Sequence, residues 1–150
     1  MEANDAKQFI VANLNTELYG IEIKYIDNII VMQKITRVPK SQSYFKGVIN
    51  LRGEIVPVLS LGERLGNTSA DETPKTRIII VRPEPQAAPL GLIVDGVKEV
   101  ITIEPDDIEK INYDEKESKI NFSIGVGKYQ DDLINLLNIP AVIFDKETSN

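Results

Sequence analysis

GVINLRGEIVPVLSLGERLG, residues 47–66, is the stretch on which the reading of the fold turns. Val48 and Ile49 make one apolar arm and Ile55, Val56 and Val58 another, with Asn50, Leu51, Arg52 and Gly53 as turn residues between them. Gly53 can take a positive φ that strains other residues, so the segment predicts a β-hairpin with an arginine at its tip. Pro57 cannot donate to a ladder, which predicts an edge or bulged second arm. Beyond the hairpin, Leu59, Leu61 and Leu65 followed by Gly66 predict a short helix with a glycine stop. From chemistry alone, Arg52 is a solvated turn arginine.

Outward from this hairpin the apolar pattern is mostly short and β-like. Phe9–Leu14, Leu18–Ile23, Glu54–Leu59, Ile78–Val81, Leu90–Val94 and Val97–Ile103 are strand-length runs rich in Ile and Val, bounded by turn residues. Ile23, Ile26, Ile29 and Ile30 recur at helical spacing and predict an amphipathic turn that runs into a strand. Asp131, Asp132, Leu133, Leu136 and Leu137 predict a short helix, acidic at its positive end and stopped by Asn138, Ile139 and Pro140. Asn67–Lys75, Glu84–Pro89 and the charged run Asn112–Lys119 read as solvated connections.

An internal repeat organises these elements. Laying Gly47 on Gly125 pairs Ile55 with Leu133, Val56 with Ile134, Val58 with Leu136 and Leu59 with Leu137. Laying Gly20 on Gly91 pairs Ile21 with Leu92, Ile23 with Val94, Ile26 with Val97 and Ile29 with Val100. Two copies of one small β unit give this pattern, and chance coincidence in an Ile-rich chain is the competing reading. The repeat predicts two small barrels of about five strands each, side by side, closing their edges and sharing a hydrophobic seam.

Composition narrows the function. The chain has 150 residues, a net charge of -6, and no histidine, cysteine or tryptophan. Nucleic-acid binding draws on clustered cations that this balance does not favour, and the commonest metal ligands and disulfides are excluded. No metal and no cofactor is expected. MEANDAKQ has no basic and apolar leader, and no apolar run approaches the length of about 20 residues that spans a bilayer, so a cytoplasmic protein without membrane insertion is expected. Phosphate-cradling, dinucleotide and nucleophile-elbow motifs are missing, and the neighbouring carboxylates Asp106–Asp107 and Asp131–Asp132 point apart, so no catalytic residues are assigned. Asp95–Gly96 between two apolar runs reads as a hairpin turn rather than a metal or catalytic carboxylate. Asn50, Gly53, Pro57, Asp95 and Gly96 are therefore expected to be mainly structural.

The spaced motifs together resemble one family. GVINLRGEIVPVLSL, preceded by Tyr19-Gly20-Ile21, Ile35-Thr36-Arg37-Val38-Pro39 and Phe45-Lys46-Gly47 and followed by Gly91-Leu92-Ile93-Val94-Asp95-Gly96-Val97, is similar to the CheW family of chemotaxis adaptors. The resemblance implies a mostly β fold of two tandem five-stranded SH3-like barrels with short helices. It implies a domain over 8–146, with barrels at about 15–82 and 83–146, strand 8–14 being available to complete the second, and flexible tails at 1–7 and 147–150. It implies a non-enzymatic adaptor, monomeric when free, that couples chemoreceptors (methyl-accepting chemotaxis proteins) to the regulatory domain of the histidine kinase CheA. Receptor contact is implied for Ile26, Asn28, Gly47 and Arg52, in the groove between the barrels, and kinase contact for the first barrel. Many members carry a glutamate where this chain has Asn28, so a carboxylate at that position cannot pair with Arg52 here. With nothing before Met1 and little after Phe144, a free-standing coupling protein is expected; the alternatives are a module of a larger kinase or CheV-type adaptor, or a barrel that binds a small molecule in its mouth.

Overall fold

The computed structural model describes residues 6–39, 42–68, 71–110 and 122–144. Within them the chain forms β1 (Lys7–Leu14), β2 (Glu17–Glu22), β3 (Ile26–Val31), β4 (Phe45–Leu51), β5 (Glu54–Ser60), α1 (Leu61–Arg64), β6 (Arg77–Val81), β7 (Leu90–Val94), β8 (Gly96–Ile103), β9 (Ile108–Glu109), β10 (Ser123–Tyr129), β11 (Asp132–Leu137) and α2 (Ile139–Phe144). The strands make a six-stranded sheet, β8-β1-β2-β11-β10-β9, and a five-stranded sheet, β3-β6-β7-β5-β4. The charged run 112–119 and the tail 147–150 lie outside the described residues. Lys7, expected in a flexible tail over 1–7, is instead the first residue of β1 and pairs with Ile103; residues 1–5 lie outside the described residues.

Continuous apolar runs rather than alternating ones mark strands covered on both faces. On β1, Ile10, Ala12 and Leu14 face a cluster shared by the two sheets, whereas Phe9 and Val11 face the six-stranded sheet's own cluster with Ile101, Ile103, Ile134 and Leu136. On β6, Ile79 and Val81 join the shared cluster while Ile78 and Ile80 pack with Ile49, Val56 and Val58 inside the five-stranded sheet. The shared cluster has 14 buried residues against six and five in the other two. Since each buried Ile, Leu or Val contributes about 1.5–3 kcal/mol, the seam is the main store of burial energy and binds the lobes into one unit. At its edge, burial pushes the Tyr19 phenol above its ordinary value, an effect reinforced by its hydrogen bond to Glu17 Oε1 at 2.7 Å.

The sheets differ from closed five-stranded barrels. No ladder joins β8 to β9 or β3 to β4, yet both sheets curl. Six flat strands put their outer edges roughly 24 Å apart, while the step from Ile103 to Ile108 spans at most about 18 Å, so β8 and β9 are drawn together by the covalent link. In the five-stranded sheet the chain after β3 returns at Thr36 to bridge Val48 on β4.

The repeat is real, and its register is retained to the residue. Gly47 opposes Val58 and Gly125 opposes Leu136; Leu51 opposes Glu54 and Tyr129 opposes Asp132. Both hairpins have a register shift before the glycine and a tip residue in the left-handed region, Arg52 at φ 55° and Gln130 at φ 55°. The helix expected over Asp131–Leu137 is therefore β11, a strand with Ile134 and Leu136 inward and Leu133 exposed; its leucine spacing satisfies alternation as well as a helical period. The residues read as its stop instead begin α2, where Asn138 Oδ1 accepts from Ala141 N at 3.1 Å and Pro140 occupies the first turn. The turn expected around Ile23–Ile30 is one 3₁₀ turn, Ile23–Tyr25, followed directly by β3.

Two strands lie in the lobe opposite to the expected one. β2 joins β11 in parallel, and β7 joins β5 in parallel, so one lobe is built from 26–94 and the other from 7–22 with 96–137. Asp95–Gly96 is accordingly not a hairpin turn: β7 and β8 belong to different sheets. Asp95 instead ties this switch to the β1–β2 turn, accepting from Asn15 N at 2.6 Å while its own N–H donates to Asn13 O at 3.0 Å. Pro57 is also not on an edge strand. β5 lies between β4 and β7, but its pairing with β7 begins at Val58, so Pro57 precedes that ladder and its missing donor is tolerated.

Where the two repeats meet, Arg64 of α1 is buried. Its guanidinium lies 4.8 Å from the Tyr44 ring centroid and 4.9 Å from that of Phe122, and Nε donates to Val142 O of α2 at 2.7 Å. Tyr44 and Phe122 are themselves repeat counterparts, each offering its carbonyl to the residue that precedes a helix: Ser60 N at 2.8 Å and Asn138 N at 2.7 Å.

Candidate partner-binding cleft

The β4–β5 hairpin closes on the pair Leu51–Glu54, with Arg52 at φ 55° and Gly53 at φ 84° between them. Two consecutive positive φ values match the right-handed twist of the flanking strands, and Asn50 holds the turn by accepting from Gly53 N at 2.9 Å. The geometry projects Arg52 into solvent. Among the described residues its guanidinium has no hydrogen bond or ion pair. Because Gln130 adopts the same backbone at the other tip, the left-handed conformation belongs to the hairpin, not to Arg52 in particular.

β3 reaches the same place through a bulge. Ile26 opposes Val81 and Asn28 opposes Ile80, leaving Asp27 as the extra residue; a bulge re-aims its side chain and sharpens the local twist. Asp27 Oδ2 accepts from Arg82 Nε at 2.6 Å, and Arg82 Nη1 also donates to Ala87 O at 2.6 Å. Arg82 thus clamps the bulge to the connection before β7. Asp27, Asn28, Leu51, Arg52, Glu54, Ile80, Arg82 and Pro89 line a cleft of about 350 Å³.

Of the four residues expected in a groove between the barrels, the fold brings Asn28 and Arg52 together in this cleft, which lies within the lobe of residues 26–94 and not between the lobes. Ile26 is half-buried against the inter-lobe seam. Gly47 is buried at the far end of β4, where a Cβ would run into the carbonyl oxygen of Thr36, so its visible role is the close approach that lets Thr36 bridge Val48. Asp27 and Arg82 went unread in the sequence, since an ion pair between residues 55 apart leaves no local signal.

A larger cleft of about 800 Å³ lies between residues 32–46 and Asp95, with Leu14, Met32, Ile35 and Phe45 among its apolar walls. None of the four expected residues lines it. Two hydroxyls that do are engaged internally: Ser60 Oγ accepts from Glu63 N at 3.2 Å and Thr76 Oγ1 from Thr73 N at 2.9 Å. Among the described residues no cluster of acidic side chains is arranged to hold a metal ion, and no helix is long and apolar enough to cross a membrane.

Comparison with known proteins gives a consistent result. A family model described as a CheW-like domain matches residues 8–147. The chain is 34% identical to the chemotaxis protein CheW of Bacillus subtilis over 149 residues, covering 99% of this chain and 93% of that protein. It is 34% identical to the chemotaxis protein CheW of Thermotoga maritima over 143 residues, covering 94% and 91%. Among solved structures, the scaffolding protein TtCheW of Thermoanaerobacter tengcongensis superposes with a TM-score of 0.78 at 35% identity, over 89% of each chain.

Proposed function

The chain belongs to the CheW family, and from that premise we propose that it is a non-enzymatic adaptor of chemotaxis signalling, joining the cytoplasmic tip of chemoreceptors to a CheA-type histidine kinase. The single observation that carries the receptor half of this reading is the convergence of Asn28 and the unpaired Arg52 on one cleft. A free guanidinium at a rigid turn presents a planar fork of donors, suited to a carboxylate or to the open carbonyls of a helical hairpin tip. Ile26 and Gly47 support that cleft by placing β3 and β4, and the lobe formed by 26–94 is the one we assign to the kinase regulatory domain. We take 8–146 as the functional unit, monomeric when free and acting in the cytoplasm on membrane-bound receptors through its protein partners.

Two interfaces on one small chain give function by valency. Holding receptor and kinase together raises the local concentration of each to about the millimolar range, so two moderate contacts act as a firm one. Titration of the chain into an isolated CheA regulatory domain from the same genome is expected to show saturable one-to-one binding at micromolar affinity or better. No binding by the folded chain removes the kinase half of the proposal.

The receptor half is tested at the hairpin. Arg52→Ala is expected to leave the melting temperature within a degree or two of wild type, because the side chain is exposed at a turn tip. Affinity for a receptor-tip fragment is expected to fall by about 1–3 kcal/mol, the value of a charge-assisted hydrogen bond. Unchanged affinity returns Arg52 to the status of a solvated turn residue. The small-molecule reading is tested by thermal shift: stabilisation by a metabolite but by neither protein partner favours it.

A further inference from the structure

The two repeats carry the same cleft framework but charge it differently. The bulge that leaves Asp27 unpaired in β3 recurs in β8, where Ala12 opposes Val97 and Val11 opposes Glu99, leaving Lys98 as the extra residue. Lys98 is the repeat counterpart of Asp27, and Asp132 is that of Glu54. In that lobe the bulged side chain reaches across to the hairpin tip: Lys98 Nζ lies 3.6 Å from Asp132 Oδ2. The framework therefore allows a side chain at the bulge to pair with one at the tip and to span the space between them.

In the first lobe the same reach leads from Asp27 to Glu54, the counterpart of Asp132, two residues along the tip from Arg52, and all three residues line the one cleft. An aspartate and an unpaired arginine lining one 350 Å³ cleft are natural partners, and their pairing would occupy the guanidinium that the adaptor reading needs free. Asp27 is engaged instead by Arg82, which donates to its Oδ2 at 2.6 Å and is itself anchored on Ala87 O. At the position of Arg52 the second lobe has Gln130, which has no charge to offer.

We propose that Arg82 is a positioning residue that keeps the cleft available by sequestering Asp27 from Arg52, and that the cleft accepts an acidic group of the partner. This rests on the reading of Arg52 as a contact residue. Loss of Arg82 releases Asp27 to compete, as an internal carboxylate, with the partner's own.

The test is a charge-rescue cycle with a receptor-tip fragment from the same genome, measured by titration at low and moderate salt on variants whose melting curves show them folded. Arg82→Gln is expected to weaken binding roughly fivefold, the upper range for a competing part-exposed ion pair. Arg82→Gln combined with Asp27→Asn is expected to return affinity to within about twofold of wild type, although the contact to Ala87 O is lost in both. Arg82→Lys, which retains a cation beside Asp27, is expected to bind as wild type, and it also serves if the glutamine variant fails to fold. Wild-type affinity in Arg82→Gln overturns the inference, as does a double variant that stays weak, since Arg82 would then act by touching the partner or by holding the loop. Arg52→Ala separates the two levels. If it binds as wild type, the contact reading itself fails; if it weakens binding while Arg82→Gln does not, only the role of Arg82 falls.

Discussion

Replacing Arg64 with alanine is expected to lower the melting temperature by about 10 °C, the largest effect of any single charged residue among those the structure describes. The side chain is 3% exposed and ties α1 to α2 through Val142 O while its plane meets Tyr44 and Phe122. Truncation removes two cation–π contacts of about 1 kcal/mol or more each where desolvated, one charge-assisted hydrogen bond, and enough volume to leave a cavity at the junction of the lobes. The sum is about 3–4 kcal/mol. For a domain of this size each kcal/mol shifts the midpoint by about 3 °C. Arg64→Lys is expected to recover less than half of the loss, because a point charge cannot lie flat between two rings and reach the carbonyl as well. Melting curves of both variants check this, and a midpoint change under 3 °C for the alanine variant would show that the junction is held by the apolar seam alone.

Gly47→Ala is expected to cost about 2–4 kcal/mol and to abolish receptor coupling as a consequence of that damage. Its φ of 137° is one that L residues rarely adopt, and the added methyl would meet the Thr36 carbonyl oxygen head-on, with Thr36 C at 2.8 Å and Ile35 Cγ2 at 2.9 Å behind it. Backbone must move to make room, which breaks the bridge between Thr36 and Val48 and loosens β4. The two variants at opposite ends of β4 thus separate cleanly: Arg52→Ala loses partner affinity with its melting temperature intact, Gly47→Ala loses both. A Gly47→Ala protein that melts as wild type yet fails to bind would assign Gly47 a direct contact instead. Gly125→Ala, with φ of 152° and Glu109 O at 2.9 Å, is expected to be destabilised in the same way in the other lobe.

Much of this architecture is legible in the chain itself. The hairpin at 47–60, the β-rich class, the repeat and the apolar seam all follow from local chemistry and spacing, because each depends on residues close in sequence or on a register that the repeat displays twice. What failed to show had non-local or ambiguous causes. Leu133, Leu136 and Leu137 fit a helix and a strand alike, and only pairing with β10 decides between them. Asp95–Gly96 has hairpin chemistry, yet the strands on either side diverge because parallel pairing with β5 holds β7 in the other sheet. For the cleft, Asn28 and Arg52 were reachable through the family resemblance, while Asp27 and Arg82 depend on a bulge and a partner 55 residues away. Arg64 sits in a run read only for its leucines, and nothing in that run announces the rings that receive it.

The exchange of β2 and β7 between lobes has a consequence for how the chain is made. Residues 26–94 hold every strand of the five-stranded sheet, so that lobe can assemble while the remainder is still being synthesised. The first hairpin has no such opportunity. β1 and β2 pair with each other but wait for β8 and β11, the latter ending at Leu137, and until then the other edge of β1 and the side chains of Phe9, Ile10 and Val11 stay uncovered. At synthesis rates of about 5–20 residues per second, that exposure lasts on the order of ten seconds. The first hairpin is therefore covered long after it is made, and it is there, rather than in the lobe of residues 26–94, that a chaperone or a protease has its longest opportunity to act.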